Sequence, residues 1–155
     1  MISPDDYYHV GVLAPDLEEA ASLLTAAFGV QWSPMQHWDQ PVHLVETGET
    51  RTLPFDLCFS LERVGGPRFE LSTSIPGTIW EVDRLTWHHV GYWADDVGAA
   101  AARLSGMGHE IVAHDANDAG RPDLFSYHRA SGGGPLLEYV SSSIREQQLS
   151  ALWLA

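Results

Sequence analysis

Two stretches of the chain, YHVGVLAPDLEEAASLL at 8–24 and HHVGYWADDVGAAAARL at 88–104, align with each other without a gap. In this alignment His9 falls on His89, Gly11 on Gly91 and Asp16 on Asp96. Each stretch begins with an apolar run and continues into a segment rich in alanine and leucine. Similarity at a fixed spacing is the signature of a duplicated structural unit. The sequence therefore predicts two copies of one module.

Each copy is predicted to be a strand followed by a helix. In the first copy Asp16 can cap a helix together with Glu19, and Gly29 provides a natural stop. Behind each aspartate, apolar residues recur at helical spacing: Leu17, Ala20, Ala21, Leu24 and Phe28 in the first copy, and Val97, Ala100, Ala101 and Leu104 in the second. The second copy lacks the capping glutamate and ends at two glycines, Gly106 and Gly108.

Segments with strand character follow each helix, at 42–47, 52–61 and 68–75 in the first half and at 109–114, 124–129 and 135–141 in the second. Both halves therefore read βαβββ. RFEL at 68–71 aligns with LLEY at 136–139 at a smaller offset, so the first half carries extra residues before its last strand. We place them in QWSPMQHWDQP at 31–41. This stretch is either a lid or pocket wall, or a surface loop whose tryptophans pack on the domain or on a second subunit.

The predicted organisation is one α+β domain spanning 1–155. Module one covers about 5–76, module two about 85–142, and a short C-terminal helix about 143–155. That helix would carry Leu149, Leu152 and Trp153 on one apolar side. We expect this side to cover either a subunit interface or its own subunit.

Composition excludes several classes of protein. With 45% apolar and 19% charged residues the chain can form a globular core. It has no apolar run of about 20 residues that could span a bilayer, and a net charge of -13 would repel nucleic acid. A lone Cys58 allows no internal disulfide. We expect a cytoplasmic protein that binds neither membranes nor nucleic acid.

Strand alternation predicts which polar side chains share a face of the sheet. If side chains alternate regularly, three polar residues lie opposite apolar neighbours that suit packing against the helices: His9 opposite Tyr8, Val10 and Val12; Glu70 opposite Phe69 and Leu71; and Glu138 opposite Leu137 and Tyr139. His89 joins the polar set through the repeat, and its neighbour His88 would then point to the opposite face.

Two imidazoles and two carboxylates that converge in a partly buried site require compensation, because uncompensated buried carboxylates are unfavourable. A divalent cation would provide it. Nitrogen and oxygen ligands of this kind suit Zn, Ni, Co, Mn or Fe. His9, Glu70, His89 and Glu138 are thus the candidate metal ligands.

Four blocks, HVGVLAPDLEEA, FELSTSIPGTIW, WHHVGYWADDV and GPLLEYV, resemble those of the vicinal oxygen chelate superfamily. That superfamily includes glyoxalase I, methylmalonyl-CoA epimerase, extradiol dioxygenases, and fosfomycin and bleomycin resistance proteins. The chain is most similar to the glyoxalase I and methylmalonyl-CoA epimerase branch. The resemblance implies paired βαβββ modules that form an open, cup-shaped mixed β-sheet with helices on its outer face. It also implies a metal in the cup and a homodimer, in which the ligands come from one chain or from two.

The resemblance also implies residue roles. His9 and His89 match the first-strand ligands of the family, and Glu70 and Glu138 match the last-strand ligands. The shared chemistry is abstraction of the proton beside a metal-held carbonyl. Glu138 is the expected base and Glu70 its symmetric alternative. Glu46 or Glu49 is the expected second acid or base that epimerisation requires.

The leading hypothesis is a metal-dependent isomerase, epimerase or lyase that enolises a small-molecule carbonyl substrate. Six tryptophans permit an aromatic or polycyclic substrate. No clustered set of arginines that would hold glutathione or coenzyme A is evident in the sequence, although six could assemble in space: Arg51, Arg63, Arg68, Arg103, Arg121 and Arg129. One alternative is a non-enzymatic protein that binds an antibiotic-like small molecule. Another is a non-haem iron dioxygenase, although such enzymes use two histidines and one carboxylate, and Glu70 would add a fourth ligand.

Overall fold

The computed structural model describes residues 3–61 and 68–153. The first half contains β1 (Tyr7–Ala14), α1 (Leu17–Phe28), β2 (Gln36–Leu44), β3 (Glu49–Phe59) and β4 (Phe69–Thr73). The second contains β5 (Thr86–Ala94), α2 (Val97–Gly106), β6 (His109–Asp115), β7 (Phe125–Ala130) and β8 (Leu136–Ser141), and is followed by α3 (Arg145–Trp153). Short 3-10 turns at Pro4–Asp6 and Ser142–Ile144 flank the two halves. The predicted βαβββ repeat is confirmed.

One curved mixed sheet contains all eight strands, in the order β1-β4-β3-β2-β6-β7-β8-β5. In each half the first strand pairs in parallel with the last, β1 with β4 and β5 with β8. The two halves are joined by antiparallel pairing of β1 with β5. The predicted α+β fold is confirmed, and the cup is further closed into a barrel by a short pairing of β2 with β6 around Val42–Asp115 and Leu44–Ala113.

Helices α1 and α2 lie outside the sheet and cover its apolar outer face. Ala20 and Leu24 of α1 pack with Val12, Cys58 and Leu71. In the second half the packed residues are Val97, Ala100 and Leu104 of α2 with Tyr139 and Leu137 of β8. The neighbours of Glu70 and Glu138 therefore face the helices, as strand alternation predicts.

Asp16 caps α1, since its carboxylate accepts a hydrogen bond from the Glu19 amide at 3.0 Å. At the other end Gly29 adopts a left-handed conformation with φ of 70°. We expect Asp16→Ala to lower the free energy of unfolding by about 1 kcal/mol in urea titrations, because an unsatisfied amide would remain at the helix start. Glu18→Ala changes an exposed residue in the same turn and should lower the free energy of unfolding by only about 0.3 kcal/mol. Equal losses in both variants would contradict the capping role.

The stretch at 31–41 differs from the prediction, because most of it belongs to a strand rather than to a loop. β2 pairs with β3 from Gln36–Leu57 to Leu44–Glu49, and Pro41 lies within it opposite Thr52. Prolines at 34 and 41 obscure a period-two pattern in the sequence. Part of the extra length lies in two connections, since 29–35 is longer than 107–108 and 60–68 is longer than 131–135, and part lies in the longer strands β2 and β3.

The predicted C-terminal helix is present as α3. The side chains of Leu149, Leu152 and Trp153, which we predicted to form its apolar side, lie outside the described residues. Within the part of the chain that the structure describes, no helix is long and apolar enough to cross a membrane.

Candidate metal centre and its cavity

The pairing of β1 with β5 brings the two repeated histidines together. His9 lies opposite Gly91 in the strand register, and Gly11 lies opposite His89. A side chain at Gly11 would overlap the His89 ring, and a Cβ at Gly91 would lie 2.7 Å from Cε1 of His9. Each glycine thus makes room for the histidine of the other copy. The two Nε2 atoms approach to 2.9 Å inside the barrel.

The two parallel strand pairs add one glutamate each. Gly11 pairs with Glu70 across β1 and β4, and Gly91 pairs with Glu138 across β5 and β8. Oε2 of Glu138 lies 3.1 Å from Nε2 of His9 and 3.5 Å from Nε2 of His89. The Glu70 oxygens lie 3.7 Å from each of these nitrogens. The structure therefore brings all four predicted residues to one place.

Burial makes this cluster chemically unusual. The side chains of His9 and His89 are 1% exposed, that of Glu138 is 7% exposed and that of Glu70 is 14% exposed. Oε2 of Glu138 is buried and has no hydrogen-bond partner among the described residues. Buried carboxylates are normally paired or bound to a cation. Nitrogen and oxygen donors in this arrangement fit a divalent transition metal, and ligand atoms of His9, Glu70 and His89 all lie within 4.8 Å of one another.

The ionisation of the cluster is set by competition between burial and charge. Burial would lower the pKa of His9, but the Glu70 and Glu138 carboxylates outweigh it and raise this pKa above its usual value. Burial raises the pKa of Glu70 to about 7, against the opposing effect of His9 and with a further increase from Glu138. Without a metal, protons on His9 and Glu70 therefore offset the negative charge that a bound cation would otherwise neutralise.

The other two histidines of the site are neutral. Burial, followed by the neighbouring His9 and His88, lowers the pKa of His89 well below its usual value. Burial likewise lowers the pKa of His88. A neutral imidazole is the form that binds a metal, so His89 needs no deprotonation to act as a ligand.

Two predictions of side-chain direction were wrong, those for Tyr8 and His88. The register of β1 with β5 shifts between Tyr7 and His9 and again opposite His88, so both residues lie at β-bulges. The Tyr8 ring lies on the Trp93 ring with centroids 3.9 Å apart and faces the barrel interior. His88 is also buried, within hydrogen-bonding distance of His89. The two bulged residues occupy equivalent positions in the repeat.

A cavity of about 450 Å³ opens beside the cluster, with His9, Glu70 and Glu138 in its wall. Aromatic side chains are the largest group in the remaining wall: Tyr8, Trp38, Phe55, Phe59, Trp80, Phe125 and Tyr127. Four amides are interspersed among them: Gln36, Gln40, Gln147 and Gln148. Trp38 of β2 thus forms part of the pocket wall, which is one of the two roles that the sequence analysis considered for 31–41. The other tryptophan of that stretch, Trp32, packs on the domain and donates to the Ala21 carbonyl at 3.3 Å.

Among the described residues, no arginine lines the cavity. Of the arginines considered in the sequence analysis, four are exposed: Arg51, Arg103, Arg121 and Arg129. The guanidinium of Arg68 lies over the Tyr8 ring, 5.8 Å from its centroid. Arg63 lies outside the described residues. The cavity therefore combines aromatic surface and neutral amides with two carboxylates.

The structure does not bring Glu46 and Glu49 to the site. Glu46 lies in the turn between β2 and β3, and Glu49 is the first residue of β3. Both are exposed and neither lines the cavity. The lining residues of this hairpin come from its other end, between Gln36 and Gln40 and between Phe55 and Phe59. The uncertain position of the extra residues caused this error.

Tyr127 is a site residue that the sequence did not single out. It lies opposite Glu138 in the β7–β8 register, whereas the matching partner of Glu70 is Phe59. Burial, followed by the charges of Glu138 and Glu70, raises the pKa of Tyr127 well above its usual value. The phenol stays protonated, so the strand partner of Glu138 has a hydroxyl group, whereas that of Glu70 has none. Aligning the β7 and β3 strands of the repeat would have revealed this asymmetry.

Fold and site together define a class: a duplicated βαβββ protein with two histidines and two glutamates on the inner face of one curved sheet. The model of the Glyoxalase/Bleomycin resistance protein/Dioxygenase superfamily matches residues 8–127. The chain therefore belongs to this superfamily, as the sequence resemblance predicted.

Solved structures show the same fold at low sequence identity. The methylmalonyl-CoA epimerase of Mycobacterium tuberculosis is 14% identical, with a TM-score of 0.60 over 96% of this chain and 97% of that one. A variant of the Streptomyces coelicolor epimerase in complex with 2-nitronate-propionyl-CoA is 16% identical, with a TM-score of 0.56 over 92% and 99%. A mutant of 4-hydroxymandelate synthase from Streptomyces coelicolor is 17% identical, with a TM-score of 0.51 over 87% of this chain and 48% of that one. No curated protein sequence matches the chain.

Proposed function

We propose that the protein is a metal-dependent enzyme of the isomerase, epimerase or lyase type that enolises an uncharged aromatic or polycyclic carbonyl compound. The observation that carries the proposal is the convergence of two imidazoles and two carboxylates in the wall of an aromatic cavity. A homodimer and a cytoplasmic location remain predictions from the resemblance and the composition.

His9, Glu70, His89 and Glu138 would hold the metal. A divalent cation bound there would supply Lewis acidity, which makes the C–H beside a carbonyl group more acidic. A carboxylate of the site removes that proton, and the electron pair of the C–H bond moves toward the carbonyl oxygen. Return of a proton to the same carbon completes an exchange or an epimerisation, and departure of a neighbouring group completes a lyase reaction.

Glu138 remains the first candidate for the base, and Glu70 is the alternative. Glu138 lies closer to both histidines and faces the Tyr127 phenol. Glu70 is somewhat more exposed, and in the metal-free protein burial raises its pKa to about 7. The variants Glu138→Gln and Glu70→Gln separate the two roles. Both changes weaken a ligand and should lower metal affinity, so the roles are compared at saturating metal, where the base variant should lose the larger part of the activity.

The cavity argues for an uncharged substrate. Phosphate and carboxylate groups of a substrate are usually held by arginine or lysine. The described lining contains neither, while aromatic rings such as Trp38 and Trp80 offer stacking surfaces. The coenzyme A ligand belongs to the epimerase structures, and nothing in this cavity matches its charge.

We expect the purified protein to contain near-stoichiometric divalent metal, and His9→Ala and Glu138→Ala to lose it, because each change removes one of four converging donors. Elemental analysis measures this, with circular dichroism to check folding.

With 2-tetralone in deuterated water, NMR should show faster exchange of the α protons with wild-type protein than with Glu138→Gln or Glu70→Gln. Methylmalonyl-CoA serves as the anionic comparison and should not compete.

Two results would contradict the proposal. Absence of metal even after supplementation would eliminate the metal site and favour a protein that only binds small molecules. Iron-dependent oxygen consumption without proton exchange would favour the dioxygenase alternative, in which His9, His89 and one carboxylate hold iron.

A further inference from the structure

His88 connects the metal centre to the backbone of a neighbouring turn. Its Nδ1 lies 2.9 Å from Nδ1 of His89, and its Nε2 lies 2.8 Å from the carbonyl oxygen of Ile79. His88 also packs against the rings of Trp80 and Tyr127. The imidazole is therefore held on both sides by polar contacts and is flanked by two aromatic rings.

The turn that provides the carbonyl group is itself well anchored. The Ile75 amide donates to the Trp80 carbonyl at 3.1 Å. The Ser74 hydroxyl donates to the Val82 carbonyl at 2.9 Å and accepts from the Val82 amide at 2.8 Å. Trp80 at the centre of the turn is 2% exposed. The position of the Ile79 carbonyl is consequently fixed by the fold.

The hydrogen-bond roles along this chain of groups follow from two facts: a carbonyl oxygen only accepts, and a neutral imidazole carries one ring proton. The proton of a neutral His88 must therefore be on Nε2, where it is donated to Ile79. Nδ1 of His88 is then an acceptor, so Nδ1 of His89 carries the proton between the two rings. Because neutral His89 has one ring proton, its Nε2 has a free lone pair directed at His9 and the carboxylates.

We propose that His88 is a positioning residue that holds His89 in the Nδ1–H tautomer and thereby presents its Nε2 lone pair to the metal. This inference rests on the proposed metal centre. Partners in this position orient a ligating histidine and raise its basicity. His9 has no counterpart, since its own Nδ1 has no hydrogen-bond partner among the described residues and the equivalent of His88 is Tyr8. The 2.9 Å contact between the two Nε2 atoms is then donated by His9 in the metal-free protein.

Two substitutions test the role of His88. His88→Phe removes both the donor and the acceptor, whereas His88→Gln retains one of each in its amide group. We expect the Zn²⁺ affinity, measured by competition with a chelator, to fall by about 10- to 100-fold in His88→Phe and by only a few-fold in His88→Gln. His128→Phe is the matched control, because His128 is also buried but bonds to Ser126 outside the site. Its Zn²⁺ affinity should equal that of wild type.

The tautomer can be observed directly in metal-free wild-type protein by long-range ¹H–¹⁵N NMR of the histidine rings. The expected result is a protonated Nδ1 and an unprotonated Nε2 on His89. A proton on Nε2 of His89 would overturn the inference, and so would unchanged Zn²⁺ affinity in a folded His88→Phe variant. If wild type binds neither Zn²⁺ nor Ni²⁺, Co²⁺, Mn²⁺ or Fe²⁺, the proposed function fails, while the NMR result still decides the tautomer. If His88→Phe does not fold, the wild-type spectrum and His88→Gln still test the role.

Discussion

Gly11→Ala is expected to lower metal affinity by more than about 100-fold, because the new methyl group would occupy the volume of the His89 ring. The atoms that a Cβ at Gly11 would overlap are Cε1, Nδ1 and Nε2 of His89. Gly11 has no positive φ angle, so alanine is compatible with its backbone and the effect comes from overlap alone. Loss of one properly placed ligand is sufficient to impair a metal site that depends on exact convergence.

The change should also cost about 1–3 kcal/mol of folding stability, since the surrounding barrel is closely packed. Gly91→Ala is expected to have a smaller effect, because its Cβ would lie 2.7 Å from Cε1 of His9 and 3.0 Å from Oε2 of Glu138. Gly106→Ala at the end of α2 is the matched control, with nothing within 4 Å of its Cβ. Chelator competition and urea unfolding measure both effects. Wild-type Zn²⁺ affinity in Gly11→Ala would show that the two histidines do not meet as the strand register places them.

These glycines contain information that the sequence interpretation did not use. The spacing His-Val-Gly is present in both copies, and a glycine within a strand often marks close approach of another group. Combined with antiparallel pairing of the two first strands, it would have placed each histidine opposite the glycine of the other copy. The repeat predicted that the four ligands share a site, and the glycines explain how the rings fit there.

Regular strand alternation predicted the direction of Glu70 and Glu138 correctly but failed at Tyr8 and His88. Alternation assumes that every residue is paired, and each bulge inserts one unpaired residue. Neither bulge has a signal in the local sequence, since both residues lie within apolar or aromatic runs. The partners of His88 could not be predicted either, because the Ile79 carbonyl is brought close only by the tertiary fold.

The first hairpin shows a different limit. The sequence predicted the number and order of the strands, but the start of β2 was hidden by Pro34 and Pro41. Its inward residues Gln36, Trp38 and Gln40 became recognisable only from their pairing with β3. The same uncertainty placed Glu46 and Glu49 near the site, although they lie at the opposite end of the hairpin from the cavity.

Glu70→Gln is expected to make the metal-free protein more stable than wild type at pH 8. In the folded state burial raises the pKa of Glu70 to about 7, from a usual value of 4.5. The pKa of His9 is also raised. Burial lowers it, but the Glu70 and Glu138 carboxylates raise it by more. The folded site therefore binds protons more tightly than the unfolded chain, and its contribution to stability decreases as pH rises through about 7. For Glu70 alone the change is at most about 3 kcal/mol.

Glutamine has nearly the shape of the protonated acid but cannot ionise, so the variant avoids the cost of a buried carboxylate. Below pH 4.5 Glu70 is protonated in both states, and the two proteins should unfold at similar urea concentrations. Between pH 5 and pH 8 the free energy of unfolding of the variant should rise relative to wild type by about 1–3 kcal/mol. The lower value applies if the variant also loses the stabilising pairing of Glu70 with His9. Glu18→Gln, which removes an exposed carboxylate from a chain of net charge -13, controls for general charge repulsion.

Saturating Zn²⁺ should reverse the order of stability. Metal displaces the protons of the site and compensates the Glu70 carboxylate, and a ligand present at 1,000 times its Kd stabilises a protein by about 4 kcal/mol. The variant has one donor fewer, binds more weakly and gains less. Urea titrations of wild type and Glu70→Gln at pH 5 and pH 8, with chelator and with Zn²⁺, measure all four conditions. A wild-type protein that is the more stable at pH 8 without metal would mean that the Glu70 carboxylate is compensated by the protein itself, and the main electrostatic reason for a cation at this site would be lost.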